Sequence, residues 1–307
     1  MLHILAVLAA AVLFGTTGTS QALGPDWTTP LAVGVARLVV GGTILAAIAF
    51  ALSARRARSA VAPRPRLTRR PLALMAATGV ALAVYQPLFF LGTERNGVAV
   101  STVIALGSAP VIAGLLEWAL TRTLPSTLWL TATGSATLGV VLLGAGGGAE
   151  SGGADPVGVL GAIGAGAAFA VIANAQRRLL DDGWDPFAVV GAMGAGAAVV
   201  ASVALPFVDL AWLAEPTGAA MAIWLGVATI AVAYALFTWG LQGLTAATAA
   251  TLTLGEPLTA ALLGVTVLGE QLSPLAIGGL IVLGAGLASL AWGSRRSRDP
   301  QPYAVEG

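Results

Sequence analysis

Residue types that supply much of protein chemistry are nearly missing from this sequence. Its 307 residues include no cysteine and no lysine, and the single histidine is His3. Without cysteine the chain has no disulfide, no thiolate metal site and no thiol nucleophile, and one histidine makes no cluster of ligands. Metal-dependent and nucleophilic chemistry are therefore poorly supplied, and we expect neither a metal ion nor another cofactor.

Charge is scarce as well, at 9% of residues against about 25% in an ordinary soluble domain. Apolar residues make up 57%, and the mean hydropathy is +0.88. We expect an all-α integral membrane protein, and we interpret its first segment as retained, not as a cleaved signal peptide. Ten apolar segments are long enough to span a bilayer, at about 3–23, 30–52, 71–92, 97–120, 126–146, 157–179, 186–207, 218–241, 244–268 and 274–292.

The arginines are distributed unevenly between the connecting loops. Thirteen of the fifteen fall on one side, including the run from Arg55 to Arg70, whereas the opposite loops contain only Arg95 among acidic residues. Because arginine-rich loops stay in the cytoplasm, both termini are predicted to be cytoplasmic. The same run is compatible with binding to nucleic acid or anionic lipid, but membrane topology explains it without such a partner.

An acidic residue and a proline interrupt the ninth segment at Gly255-Glu256-Pro257. A carboxylate near the middle of a bilayer is expensive unless it has a partner or a function. Pro257 is expected to kink the helix and to leave the carbonyl of Thr253 free. Helical periodicity places three threonines near the face of Glu256, and the two alternatives are a site facing a cavity and a structural acid tied to a neighbouring helix. These threonines are Thr245, Thr248 and Thr259.

The two halves of the chain resemble each other at an offset of 147 to 149 residues. Tyr85 precedes a segment containing Pro110 much as Tyr234 precedes the segment containing Pro257. Five helices are an odd number, so two such units in tandem have opposite orientations in the membrane. Inverted repeats of this kind place a site near the midplane, at their interface. We predict repeats at 1–147 and 156–293, a cytoplasmic tail at 294–307, and helix hinges at Pro110 and Pro257.

The sequence resembles the drug/metabolite transporter superfamily, in its ten-helix branch with two EamA-type domains, and the resemblance covers essentially the whole chain. The resemblance rests on the run from Gly255 to Gly264, on Leu268-Gly269-Glu270-Gln271-Leu272-Ser273-Pro274 and on Arg37 in the second segment. It implies a multi-pass transporter of a cell membrane, and members are associated with amino acids, sugars, nucleotide precursors and toxic compounds. The first half departs from the pattern, because Ser108-Ala109-Pro110 stands where a Glu-Pro pair might stand.

Four side chains are expected at similar depths in the bilayer. At about 1.5 Å per helical residue, Arg37 lies roughly 10 Å from one end of its helix and Glu256 roughly 18 Å from the other. In a hydrocarbon core of about 30 Å these depths nearly coincide, and Tyr85 and Gln86 fall close to them. Arg37 and Glu256 are expected either to pair directly or to receive oppositely charged groups of a substrate. Simple helix packing is the alternative for all four. Glu117 lies near a helix end and is expected to reach solvent or Arg122.

We predict a secondary transporter, not an enzyme, that exports a small metabolite such as an amino acid or related amphipathic compound by alternating access. Direction and substrate are implied only by the resemblance. An importer or facilitator of sugar- or nucleotide-type metabolites is the alternative, and a membrane scaffold or intramembrane enzyme would need domains or motifs that the sequence lacks. No phosphate-binding loop occurs, so ATP is not the expected energy source. Proton coupling and a homodimer both remain open.

Overall fold

The structure, a computed structural model, describes residues 1–59, 65–146 and 155–296, so Arg64, Glu150 and Arg298 lie outside the described residues. All regular structure in these ranges is helical, and ten helices are long and apolar enough to span a membrane. This confirms the predicted ten-span architecture. The spans are α1 Leu2–Ala22, α2 Pro30–Arg58, α3 Arg69–Val98, α4 Val100–Thr121, α5 Thr127–Gly146, α6 Pro156–Asp181, α7 Pro186–Phe207, α8 Pro216–Leu241, α9 Ala246–Val267 and α10 Pro274–Ser294.

The second helix runs further than its apolar segment. Helical structure continues from Pro30 to Ser59, so Arg55, Arg56 and Arg58 lie on the helix and not in a loop. Arg56 bonds to Asp185 at 3.5 Å and its guanidinium lies 4.3 Å from the ring centre of Phe187. Cations near a helix C-terminus complement the helix dipole, which explains why the helix extends into the arginine run.

Four of the spans contain irregular backbone, and the seventh ends in a turn and a 3₁₀ helix, Leu205–Phe207. Helical structure runs from Arg69 to Thr121 with non-helical angles only at Gly97 (φ 75°, ψ 162°), where α3 folds back into α4. A residue with positive φ is most easily a glycine, which lets this turn be very short. The eighth span contains a π-helical stretch, Trp224–Val232. The ninth span consists of two helices, Ala246–Leu252 and Gly255–Val267.

Contacts between α5 and α10 repeat at an offset of 147 residues. A Cβ placed on Gly139 would lie 2.7 Å from the carbonyl oxygen of Gly279, and one on Gly286 would lie 2.9 Å from that of Ala132. Residues 139 and 286 differ by 147, and so do 132 and 279. Each half therefore contacts the other in the same way, which supports two related halves of opposite orientation. The domain limits stay a prediction.

In the remaining contacts between the halves, each helix again packs against the counterparts of the helices that its own repeat counterpart contacts. Helix α6 packs against α3 and α4, while α1 packs against α8 and α9. Helix α2 contacts α8 where Gly41 meets Gly226, and α7 contacts α3 where Gly196 meets Gly79. Small residues at these crossings allow close backbone approach, as is usual between membrane helices. The packing encloses a cavity between the halves.

Candidate functional site

A cavity of about 940 Å³ reaches the surface at one end of the helix bundle. At its mouth lie the last residues of α1, α3, α5 and α9 and the first residues of α2, α4 and α10. We call this the acidic end, because its connections carry six of the eleven acidic residues that the structure describes: Asp26, Glu94, Asp155, Asp209, Glu215 and Glu270. The other end, which holds the connections with Arg66, Arg122 and Asp182, is called the Arg-rich end. The cavity stops midway between the two.

The structure brings four of the predicted site residues together at the bottom of this cavity. Arg37, Tyr85, Gln86 and Glu256 all line it, although they come from three helices that are far apart in sequence. Arg37 and Gln86 are buried, with 8% and 9% of their surface exposed, whereas Tyr85 and Glu256 are half-buried. Their proximity agrees with the depths expected from the sequence, and their role in binding stays a prediction.

These polar side chains have few partners within the described residues. Arg37 and Glu256 form no ion pair, and no hydrogen bond joins either side chain to another described residue. The Nε atom of Arg37 is buried and unpaired. A charge removed from water normally needs a paired charge and hydrogen bonds, so these groups are suited to bind something that enters the cavity. The contacts favour a site facing a cavity over a structural ion pair.

The local backbone explains how Glu256 reaches the cavity. The helix breaks at Thr253 and Leu254 and restarts at Gly255, which places Pro257 in a first helical turn, where a missing N–H is tolerated. The expected interruption near Pro257 is therefore present. The expected free carbonyl of Thr253 is wrong, because it accepts a hydrogen bond from the Glu256 N–H at 2.9 Å. A tight turn replaces the bond that proline cannot donate.

Two predicted threonines do not reach this cavity. The Thr248 N–H donates to the Thr245 hydroxyl at 3.1 Å, which caps the start of α9. The Thr259 hydroxyl donates to the Gly255 carbonyl at 3.2 Å, and Thr259 packs against Gly15 of α1. Neither threonine lines the cavity, so we leave both out of the proposed site.

The two predicted hinge prolines also differ. Pro257 lies in the cavity wall, directly after the break in α9. Pro110 is buried, and the backbone of α4 keeps helical angles through it. Both hinge roles stay predictions.

Aromatic residues missed by the sequence analysis complete the site. Tyr234 is buried in the cavity wall and packs edge-on against Phe14 at 5.1 Å, while Tyr85 stacks on Phe89 at 6.2 Å. Phe169 also lines the cavity. Tyr234 is the repeat counterpart of Tyr85, so applying the internal repeat to the site would have found it. Within the described residues, no group of three or more His, Cys, Asp or Glu side chains is placed to hold a metal ion.

Polar contacts close the Arg-rich end below the site. Glu117 of α4 accepts a hydrogen bond from the Ala247 N–H at the start of α9, at 2.8 Å. Arg177 of α6 donates to the carbonyls of Leu241 and Leu244, the latter at 3.3 Å. Glu117 therefore bonds to α9 and not to Arg122, while its side chain stays partly exposed, as one of the two expectations had it. These contacts separate the cavity from the Arg-rich end.

Comparison with known proteins agrees with this architecture. The sequence pattern of the EamA-like transporter family matches residues 156–292. An uncharacterized transporter, YwfM, of Bacillus subtilis (strain 168) is 37% identical over 300 residues, covering 98% of this chain and 97% of that protein. A solved crystal structure has the same fold with a TM-score of 0.77, at 17% identity and with 96% of this chain and 98% of that chain covered. The chain is thus a multi-pass membrane protein that belongs to the EamA-like transporter family.

Proposed function

We propose that this transporter exports a small amphipathic metabolite, such as an amino acid, by alternating access. The observation that carries the proposal is the pair of opposite charges, Arg37 and Glu256, which share one cavity without bonding to each other. In this proposal Arg37 binds the carboxylate of the substrate and Glu256 its ammonium group. Each charge then gains the partner that it lacks in the empty cavity.

The rest of the wall suits an amphipathic molecule. Phe14, Phe89 and Phe169 provide apolar surface, and Tyr85 and Tyr234 add hydroxyl groups at the same depth. Ligand pockets of about 300–1,000 Å³ are mostly apolar with a few polar groups that fix orientation, and this cavity falls in that range. A larger nucleotide-type substrate would need more than one cation, whereas Arg37 is the only basic residue in the described wall.

The proposed direction and orientation rest on the family resemblance and on the arginine distribution. With the Arg-rich end in the cytoplasm, the cavity opens outward and the cytoplasmic side is closed. A substrate collected from the cytoplasm requires a second conformation in which the Arg-rich end opens and the acidic end closes. Glu256 is the ionisable group that would couple this exchange to a proton, because a proton and an ammonium group compete for the same carboxylate.

Flux in reconstituted vesicles tests the proposal. Purified protein is placed in liposomes, and efflux of labelled amino acids, sugars and nucleosides is followed with and without a pH gradient. We expect efflux of one or more amphipathic amino acids without ATP. In a thermal-shift panel we expect the same compounds to raise the melting temperature, because a bound ligand raises apparent stability. Flux of sugars alone, or flux that requires ATP, contradicts the proposal.

A further inference from the structure

The contact between Glu117 and Ala247 joins the two halves of the molecule. Glu117 lies in α4 of the first half, and its carboxylate accepts the Ala247 N–H in the first turn of α9 in the second half, at 2.8 Å. The first N–H groups of a helix have no partner inside the helix, and a carboxylate also complements the helix dipole there. This charge-assisted bond therefore holds the Arg-rich end closed.

Neighbouring bonds lie at the same end of the bundle, and the one from Asn174 also joins the two halves. Arg177 binds the carbonyls of Leu241 and Leu244, just before α9, and Asn174 donates to the Ala113 carbonyl of α4 at 3.1 Å. Helix α4 packs along the first part of α9, Ala246–Leu252, but makes few contacts with the second part, Gly255–Val267. The two helices are therefore close at the Arg-rich end and separated by the cavity at the acidic end.

The internal repeat predicts a counterpart of this contact at the acidic end. The 147-residue offset that relates Gly139 to Gly286 and Pro110 to Pro257 also relates Glu117 to Gly264 and Val100 to Ala247. The counterpart would join residue 264 of α9 to the first turn of α4. Residue 264 is a glycine, so α9 itself has no side chain to make this bond.

A second carboxylate occupies the space beside Gly264. The chain reverses at Gly269 (φ 70°), and the Glu270 N–H donates back to the Gly264 carbonyl at 3.0 Å. A Cβ on residue 264 would lie 3.0 Å from the carboxyl carbon of Glu270. Glu270 lines the cavity mouth, as does Val98 just before α4, and its carboxylate has no partner among the described residues. A carboxylate is electrostatically unfavourable at a helix C-terminus, and Glu270 is exposed, so its side chain is free to reach the start of another helix.

We propose that Glu117 and Glu270 are alternating latches on the starts of α9 and α4. In the conformation described here Glu117 holds the start of α9 and the mouth is open. When the mouth closes, Glu270 binds the N–H groups at the start of α4, around Val98 and Val100, and Glu117 releases Ala247. Because α4 and α9 cross, drawing them together at one end separates them at the other. This inference rests on the proposed alternating access.

Spin-label distances test the latches without any knowledge of the substrate. The chain has no cysteine, so introduced pairs are the only labelling sites. Thr93→Cys with Gln271→Cys reports on the mouth, and Thr121→Cys with Gln242→Cys reports on the Arg-rich end. Each pair is measured in nanodiscs in the otherwise unchanged protein and with Glu117→Ala, Glu270→Ala or Glu94→Ala. Glu94 is an exposed acid at the acidic end outside the cavity wall and serves as the matched control.

Glu117→Ala is expected to shift the population toward a closed mouth and an open Arg-rich end by about tenfold, the factor for losing one hydrogen bond to a charged group. Glu270→Ala is expected to shift it the opposite way, and Glu94→Ala to leave it unchanged. Should Glu117→Ala fail to fold, Glu117→Asp withdraws the carboxylate by one methylene and gives the same readout. If two populations are present but neither Glu117→Ala nor Glu270→Ala changes their ratio, or if both variants change it in the same direction, the latches alone are overturned. A single population in every variant overturns alternating access as well.

Discussion

Helices α4 and α9 carry proline at equivalent positions, yet only α9 is interrupted. Around Pro110 the helix continues, and the Ser108 hydroxyl donates to the Ala105 carbonyl at 3.2 Å. Before Pro257 the helix stops for two residues and restarts at Gly255, the counterpart of Ser108. A proline therefore marks a weak point without deciding whether the helix breaks. In α9 the break accompanies the acid that faces the cavity, whereas α4 has Ala109 at that place.

The same contrast extends to the rest of the site. Tyr85 and Tyr234 are related by the repeat and both line the cavity. Arg37 and Glu256 have no charged counterpart, because α7 contains no charged residue and position 109 is alanine. A symmetric framework thus carries an asymmetric pair of charges, and under the proposed function this pair would give a bound substrate one preferred orientation.

The largest expected effect comes from neutralising Glu256 of α9, whose counterpart in α4 is Ala109. Glu256→Gln should abolish flux or reduce it at least about tenfold and alter its pH dependence, since the substrate ammonium or a proton loses its carboxylate. Expression and monodispersity should stay nearly unchanged, because no described side chain is bonded to Glu256. Flux in vesicles and size-exclusion profiles measure both. Glu94→Gln is the matched control, and normal flux across the pH range in a stable Glu256→Gln protein would remove Glu256 from the mechanism.

Next in size is a change in the framework that the halves share. Gly139→Leu and Gly286→Leu should each destabilise the protein by about 1–3 kcal/mol, because a side chain at either position meets the backbone of the facing helix. The two losses should agree closely if the contacts are related by the repeat. Unfolding in detergent measures them, and Gly278→Ala, which has open space in the same helix, is the control. A large loss for only one glycine would count against equivalent halves.

A smaller effect is expected from the two prolines, and it separates α4 from α9 directly. Pro257→Ala restores an N–H beside the break and should slow flux several-fold by favouring a continuous helix. Pro110→Ala should change flux little, because α4 is already continuous there. Flux at matched protein density measures both variants. Equal losses would show that the two prolines act as equivalent hinges, as the sequence alone predicted.

The smallest effect concerns the junction between α3 and α6 at the acidic end. Asp155 accepts the Val157 N–H at 2.8 Å and the Gly158 N–H at 3.2 Å, and with Arg95 nearby these bonds lower the pKa of its carboxyl. A lowered pKa stabilises the fold above the ordinary value, and this contribution is lost as pH falls through the folded value. Asp155→Asn should therefore melt slightly earlier at neutral pH and converge with the parent protein in acid. An unchanged difference at all pH values would contradict this assignment.

Hydropathy and helix length were sufficient to predict the ten spans and to expect Arg37 and Glu256 near each other, as their shared cavity has them. Both follow from the thickness of a bilayer and the rise of a helix, which are independent of packing. The Thr253 carbonyl was predicted wrongly because a tight turn offered it another donor. The contact of Glu117 was missed because its partner is a backbone N–H 130 residues away, which no side-chain pattern reveals.

The π-helical stretch of α8 accounts for a shift in the numbering of the repeat. Gly79 corresponds to Gly226 at an offset of 147, yet Tyr85 corresponds to Tyr234 at 149, so α8 contains two additional residues between these points. In an α-helix two extra residues would rotate Tyr234 by about 200° and turn it away from the cavity. A π-helix has more residues per turn, about 4.4, so the nine residues Trp224–Val232 complete about the turns of seven α-helical residues. The wider helix absorbs a two-residue insertion and leaves the tyrosine facing its counterpart.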